Sequence, residues 1–196
     1  AILQVWYPGA RGGKAAADIL FGSCSPSGKL PVTFYKDLKG FPAFEDYSMK
    51  GRTYRYLDRE PLYPFGYGLT YGKVSVKEAA VVGEIKEGEA FEVSAVLENN
   101  GDYDTDEVLQ AYIKDLESKY AVPNHSLCAF KRVALKKGET VQVTMQVPYE
   151  ALMIVDEEGK KYVDSTRFAL YVGISQPDAR SISLTGQEPV KVDITL

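Results

Sequence analysis

From residue 74 onward the chain alternates apolar and polar positions with a period of two. In "ETVQVTMQV", Val141, Val143, Met145 and Val147 leave one side, and Thr140, Gln142, Thr144 and Gln146 leave the other. "RFALYVGI" places Phe168, Leu170, Val172 and Ile174 on one face, and "FEVSAVLE" does the same with Phe91, Val93, Ala95 and Leu97. Successive side chains of a strand point to opposite faces, so this pattern predicts strands with one buried and one wet side. Segments 74–82, 107–114, 128–135 and 190–196 are further candidate strands. Turn residues separate them at Asn99-Asn100-Gly101-Asp102, Lys137-Gly138 and Glu158-Gly159. "PYEAL" (148–152) predicts one helical turn as a crossover.

About seven short strands, each with one apolar face, predict a mainly β fold, an antiparallel β-sandwich of immunoglobulin or fibronectin type III character. The Cys…Trp…Cys pattern of antibody domains is missing, which argues against a true antibody-type domain. The chain ahead of residue 72 has another character, with glycine, proline and aromatic residues crowded together. Residues 2–6 predict a short buried strand stopped by Pro8-Gly9. "RGGKAAADILF" (11–21) predicts a helix closed by Gly22, with Ala16, Ile19 and Leu20 on one face. Leu30–Phe34 predicts a second short strand. A strand, a helix and a strand make one unit of an α/β sheet, and one unit cannot bury both faces of its strand. Residues 35–72 are irregular but too aromatic for disorder, which predicts a linker ordered by packing. The expected organisation is an α/β piece over 1–34, a linker over 35–72 and a β-sandwich over 73–196. No internal repeat or low-complexity segment is present.

Composition narrows the function classes. Of the 196 residues, 45% are hydrophobic and 26% charged, as in ordinary globular proteins. The net charge of -4 speaks against a nucleic-acid partner. No apolar run reaches the roughly 18 residues that a membrane-spanning helix needs. The two cysteines, Cys24 and Cys128, make neither a disulfide framework nor a metal pair, and both are expected to be buried or half-buried thiols. Unpaired thiols lean toward a cytoplasmic setting. Fourteen tyrosines suit either a β core and its interfaces or a carbohydrate-stacking surface.

Candidate chemistry is sparse. His125 is the single histidine, in "VPNHSLC", and no GxSxG elbow accompanies it, so a loop histidine is the expected role. Asp102, Asp104, Asp106 and Glu107 fall short of a calcium-loop pattern and predict a solvated hairpin tip. Glu45 and Asp46 are adjacent, so they point apart and cannot act as a carboxylate pair. "GARGG" lacks the spacing of a phosphate loop and is better explained by close helix packing. No metal site and no cofactor is expected.

Several stretches taken together resemble glycoside hydrolase family 3, the β-glucosidase and β-xylosidase family. Tyr7-Pro8-Gly9, Gly12-Gly13, Ala17-Asp18-Ile19-Leu20-Phe21-Gly22 and Pro26 through Thr33 are similar to the end of that family's α/β sandwich domain. "RTYRYLDREPLYPFGYGLTY" (52–71) resembles the linker into its last domain. "ENNGDYDTDEVLQAYIKD", "FKRVALKKGETVQVTMQVP" and "FALYVGIS" resemble its fibronectin type III-like domain. "FEDYSMKGRTYRY" and "VPNHSLCAFKRV" lean toward the β-xylosidase branch. "MIVDEEGK" departs from the family, many of whose members carry an aromatic residue before the aspartate.

The resemblance implies the C-terminal third of a retaining β-glycosidase acting on terminal β-linked glucose or xylose. The family's aspartate nucleophile sits on an N-terminal barrel and its glutamate acid/base lies upstream of the matching stretch, so no catalytic residue is assigned to this chain. Its expected partners are the barrel and α/β domains of the same enzyme. The β-glucoside or β-xyloside substrate belongs to the whole protein. Tyr47, Arg52, Tyr54, Arg55 and Tyr56 are the candidate substrate-binding or domain-interface residues. The alternative is a carbohydrate- or protein-binding module, which would need an exposed aromatic row. If residues 2–6 are an inner strand without neighbours, Ile2, Leu3, Val5 and Trp6 should be exposed, disordered, or covered by a second copy in a homodimer through the free edge.

Overall fold

The computed structural model describes residues 2–196. Nine strands and three helices follow one another as α1 (Gly12–Leu20), α2 (Thr53–Tyr56), β1 (Val74–Val82), β2 (Phe91–Asn99), β3 (Thr105–Asp115), β4 (Ser126–Leu135), β5 (Thr140–Val147), β6 (Ile154–Val155), β7 (Lys161–Tyr162), β8 (Arg167–Gly173), α3 (Ala179–Thr185) and β9 (Val190–Thr195). The helical turn expected at 148–152 is a 3-10 turn over Tyr149–Leu152.

The strands form two facing antiparallel sheets, one ordered β1-β2-β5 and the other β4-β3-β8-β9, with β6-β7 as a small separate hairpin. Register follows the period-two pattern. Val93 faces Met145, Ala95 faces Val143 and Leu97 faces Val141 across β2 and β5. Ala111 faces Val172 and Ile113 faces Leu170 across β3 and β8. These inward residues, with Phe91, Val133, Leu135, Val147, Leu152, Phe168 and Ile194, make one continuous core. Each fully buried Val, Leu, Ile, Phe or Met side chain among them contributes about 1.5–3 kcal/mol by leaving water, and a one-residue slip of any central strand would turn its whole set outward.

One polar residue belongs to this core by design of its contacts. Asn99 at the end of β2 is fully buried. Its Nδ2 donates to the Tyr103 and Lys136 carbonyls at 2.8 and 3.1 Å, and its Oδ1 accepts from Gly101 N and Lys73 N at 3.0 and 3.1 Å. Both ends of the amide are satisfied, so its burial is tolerated and it ties three loops together. Of the acidic stretch expected at a solvated hairpin tip, Asp102 and Asp104 are exposed and Asp102 and Asp106 pair with Lys137 and Arg132, but Glu107 is corrected: it lies on β3 and is buried, because Lys29 of the segment after α1 covers it.

Three expectations ahead of the sandwich are corrected. Residues 2–6 form no strand, and Trp6 has φ 50. An apolar run becomes a strand only beside a partner, and no strand among the described residues pairs with it. Ile2, Val5 and Trp6 are accordingly exposed, by 79%, 43% and 48%. Leu30–Phe34 is likewise no strand; a single bridge joins Phe34 to Tyr63. Cys24 is exposed rather than buried, because the turn after α1 has nothing packed over it; Cys128 is half-buried. Helix α1 itself forms over nearly the expected span. Gly12 lets it start tightly, since a Cβ there would stand 2.4 Å from Pro8. Its apolar face is open, however, and Leu20 is largely exposed.

Candidate functional site

On the outer face of the four-stranded sheet the simple in-out alternation fails. Gln110 and Tyr112 leave β3 away from the core, yet both are buried. The cover is the linker. The Tyr112 hydroxyl donates to Gln110 Oε1 at 2.6 Å, and Gln110 Nε2 donates to the carbonyls of Gly66 and Ile174, each at 3.0 Å. Gly66 approaches so closely that a Cβ would lie 2.4 Å from both Gln110 Oε1 and the Tyr112 hydroxyl, and its φ is +76. Only glycine meets both demands.

Aromatic rings extend this seam. Tyr54 of α2 stacks on Phe65 with centroids 4.2 Å apart, and both rings meet Tyr112 nearly edge-on. His125, from the turn before β4, meets Tyr112 edge-on at 5.2 Å. The Tyr54 hydroxyl accepts from Leu127 N at 3.0 Å. Asn124 donates through Nδ2 to the carbonyls of Tyr54 and Leu57 at 2.8 and 2.9 Å, and through its backbone to Arg55 O at 3.1 Å. The short helix α2 is thus held by a loop of the sandwich rather than by its own length, which is too short for autonomous stability.

A second set of contacts closes the end of the seam. Lys29 Nζ lies 2.7 Å from Glu107 Oε1 and donates to Gly68 O at 2.7 Å, with both charged side chains over nine-tenths buried. Burial pushes the Glu107 carboxyl above the usual carboxylate range, against the opposing charge and hydrogen bond of Lys29. Ser25 and Thr105 share a hydroxyl hydrogen bond of 2.7 Å, and Tyr71 reaches Ser25 Oγ through its N–H and Ile19 O through its hydroxyl.

The five candidate residues divide between these contacts and the solvent. Tyr54 is a seam anchor. Arg52 lies 5.0 Å over the Phe41 ring and donates to the carbonyls of Ala43 and Asp46 at 2.9 and 2.8 Å, which fixes the loop around them. Arg55 is exposed over the Tyr54 ring at 5.9 Å. Tyr56 is half-buried, and its carbonyl accepts from Gly51 N. Tyr47 is 90% exposed. They do not converge on one pocket. Sequence reasoning passed over Lys29, Gln110, Tyr112 and Asn124; the one signal was Gln110 and Tyr112, polar side chains in a strand, and Asn124 gave none.

Between the linker, the β3–β8 face and α3 lies a cleft of about 470 Å3 whose walls include Tyr54, Arg59, Lys114, His125, Tyr171 and Gln176. Burial pushes the His125 imidazole down to about 4, with Gln176 and the charge of Asp178 pulling the other way, so it is neutral at pH 7. Among the described residues no hydroxyl or thiol hydrogen-bonds to it, and none gather as a three-ligand metal site. Burial also drives the Cys128 thiol up to about 12, so it is inert as a nucleophile. Glu107 is tied to Lys29 and Glu60 to Lys36, while the backbone N–H of Ser48 holds Asp46 below the usual carboxylate range. No helix among the described residues is long and apolar enough to cross a membrane.

The architecture defines a fibronectin type III-like β-sandwich preceded by helix α1 and an aromatic linker that packs against its outer face. Comparison with known proteins agrees. Residues 1–71 match the glycosyl hydrolase family 3 C-terminal domain, and residues 107–176 match a fibronectin type III-like domain. The chain belongs to glycoside hydrolase family 3 and corresponds to the C-terminal part of its members. It is 45% identical over 158 residues to a xylan 1,4-beta-xylosidase of Xylanibacter ruminicola, covering 81% of this chain and 18% of that protein. It is 32% identical over 187 residues to a periplasmic beta-glucosidase of Salmonella typhimurium, covering 89% of this chain and 24% of the relative. The crystal structure of a Bifidobacterium adolescentis family 3 beta-glucosidase superposes with a TM-score of 0.82 at 28% identity, covering 98% of this chain and 29% of that one. The chain therefore spans less than a third of the length of these relatives.

Proposed function

We propose that this chain is the non-catalytic C-terminal part of a retaining β-glycosidase that removes terminal β-linked glucose or xylose. Its role is to scaffold the barrel and α/β domains of the same protein. The observation that carries this reading is the open apolar surface ahead of the sandwich. Tyr7, Phe21, Leu38, Phe44 and Tyr47 are each more than three-quarters exposed, which a free-standing domain of this size does not sustain. The relatives' names supply the reaction class, since the first two carry a beta-xylosidase and a beta-glucosidase activity. Retaining chemistry needs two carboxyl groups about 5–5.5 Å apart across the sugar. The buried seam carboxyl, Glu107, is instead paired with Lys29.

Tyr47, Arg52, Arg55 and Tyr56 serve as the edge of the interdomain contact, and Tyr54 as its anchor on the sandwich. A homodimer through residues 2–6 is disfavoured, because that segment is not extended as an edge strand. The binding-module reading finds no exposed tyrosine row on the sandwich, where Tyr112 is fully buried and Tyr171 half-buried. The test is an assay of the purified chain on aryl β-xyloside and aryl β-glucoside. No turnover is expected. Turnover that follows the protein through successive purification steps would overturn the proposal.

A further inference from the structure

We propose that Asn100 is a site of spontaneous covalent modification, at which the side-chain amide is hydrolysed through a cyclic imide with Gly101, and that the buried Asn99 gates the reaction. The connection from β2 to β3 holds the single Asn-Gly pair of the chain. Ring closure needs the backbone nitrogen after the asparagine to reach its Cγ. A following glycine puts no side chain in the way and leaves the backbone free to turn. Asn100 is exposed to water. The other two asparagines are closed to this reaction. Asn99 is fully buried with both ends of its amide bonded. Asn124 is half-buried, its Nδ2 donates to two carbonyls, and buried His125 follows it.

The step balances with water and hydroxide alone. The Gly101 nitrogen loses its proton to hydroxide and attacks Asn100 Cγ. The side-chain nitrogen takes a proton from water and leaves as ammonia, and the imide ring remains. Water then opens the ring. Cleavage at Cγ gives aspartate; cleavage at the backbone carbonyl gives isoaspartate, whose main chain runs through the former side chain and is one atom longer. The gate is the Gly101 N–H, which donates to Asn99 Oδ1 at 3.0 Å and must be released before it can lose its proton. The surroundings decide what the products do. Asn100 Nδ2 donates to Glu98 Oε2 at 2.8 Å, so either product turns a donor into a carboxylate facing Glu98. The longer backbone of isoaspartate has no room: even a Cβ on Gly101 would stand 2.6 Å from Lys73 N. Lys73 N shares the Asn99 Oδ1 acceptor at 3.1 Å, and a Cβ on Gly72 just before it would lie 2.3 Å from Thr105. Isoaspartate therefore breaks the Asn99 contacts and loosens the joint at which the linker enters the sandwich. This inference does not rest on the glycosidase reading, and a failed activity assay leaves it intact.

The test is prolonged incubation of the full chain at pH 8, read by peptide mass spectrometry and by isoaspartyl methyltransferase labelling. Aspartate and isoaspartate should accumulate at position 100, with isoaspartate in excess, and at neither Asn99 nor Asn124. The folded chain should react about fivefold more slowly than the same chain unfolded in urea, and Asn99→Ser should close that gap. Should Asn99→Ser fail to fold, the comparison in urea still decides. In the aged chain the Lys73 and Gly101 amides should exchange with solvent about tenfold faster, while Asn100→Asp, which keeps the normal backbone length, leaves both protected. The proposal is overturned if Asn100 stays intact, if Asn99 or Asn124 reacts as fast, or if folding leaves the rate unchanged. It is equally overturned if isoaspartate at position 100 leaves the Lys73 and Gly101 amides as protected as before.

Discussion

Residues 2–71 and residues 74–195 contain similar proportions of apolar residues and use them in opposite ways. In the second region, alternation delivers the side chains to a closed core, and Val93, Leu97, Leu109, Leu170 and Val172 are fully buried. In the first, prolines and glycines aside, Leu57 is the one buried hydrophobic residue, while Trp6, Tyr7, Phe21, Phe44 and Tyr47 face outward. The difference lies in partners, not in composition. A strand or helix buries an apolar face only if a neighbour arrives to cover it. The sandwich supplies its own neighbours, and the first region has one, the outer face of β3 and β8, to which it is fastened by a narrow seam.

That contrast can be broken at the seam. Lys29→Met should have the largest effect, since it leaves Glu107 buried without its counter-charge. A loss of about 3–5 kcal/mol at pH 8 is expected in urea unfolding. The loss should shrink at low pH, because Glu107 with a raised folded pKa contributes most when protonated, and that contribution disappears as pH rises through its folded value. Adding Glu107→Met should restore most of the stability; a double variant as weak as the single one would detach Glu107 from the effect.

His125 works with the opposite sign. Its pKa falls from 6.5 to about 4 on folding, so the unfolded chain binds the extra proton. Its stabilisation is complete above pH 6.5 and is lost as pH falls toward 4, by up to about 3 kcal/mol. In His125→Gln that acid arm should vanish from the stability profile. An unchanged arm would place the titration elsewhere.

Gly66→Ala and Gly138→Ala compare the two regions at matched backbone angles, φ +76 and +71. The first adds a clash with Gln110 and Tyr112, the second meets open space. Losses of about 2–3 and about 1 kcal/mol are expected. Equal losses would mean that the seam gives way freely. The smallest effect belongs to Phe44→Ser with Tyr47→Ser, which should move stability by less than about 0.5 kcal/mol while reducing aggregation on heating.

The sandwich was legible because period two is written in residues that fold by pairing with nearby strands: "ETVQVTMQV" and "RFALYVGI" became β5 and β8 within a residue of the expected bounds. "ILQVW" carries as strong an apolar signal and forms no strand, since the pattern states that a face wants burial and not whether a partner is present. The seam was half legible. The aromatic density of "RTYRY" and "PLYPFGYGLTY" predicted packing, but not against which surface. Gln110 and Tyr112 occupy positions that alternation assigns to solvent, and their burial follows from a covering segment some forty residues earlier in the chain. His125 looked like a loop histidine for the same reason: the rings that bury it are remote in sequence.

Amide hydrogen exchange on the intact chain tests the contrast most directly. Amides of β2, β3, β5 and β8 should exchange only through global unfolding, those of residues 53–67 at an intermediate rate set by opening of the seam, and those of 2–9 and 36–50 nearly as fast as in an unfolded chain. Protection of residues 2–9 and 36–50 equal to that of β3 would contradict the account, because it would mean that the first region already has the cover assigned here to the other domains of the protein.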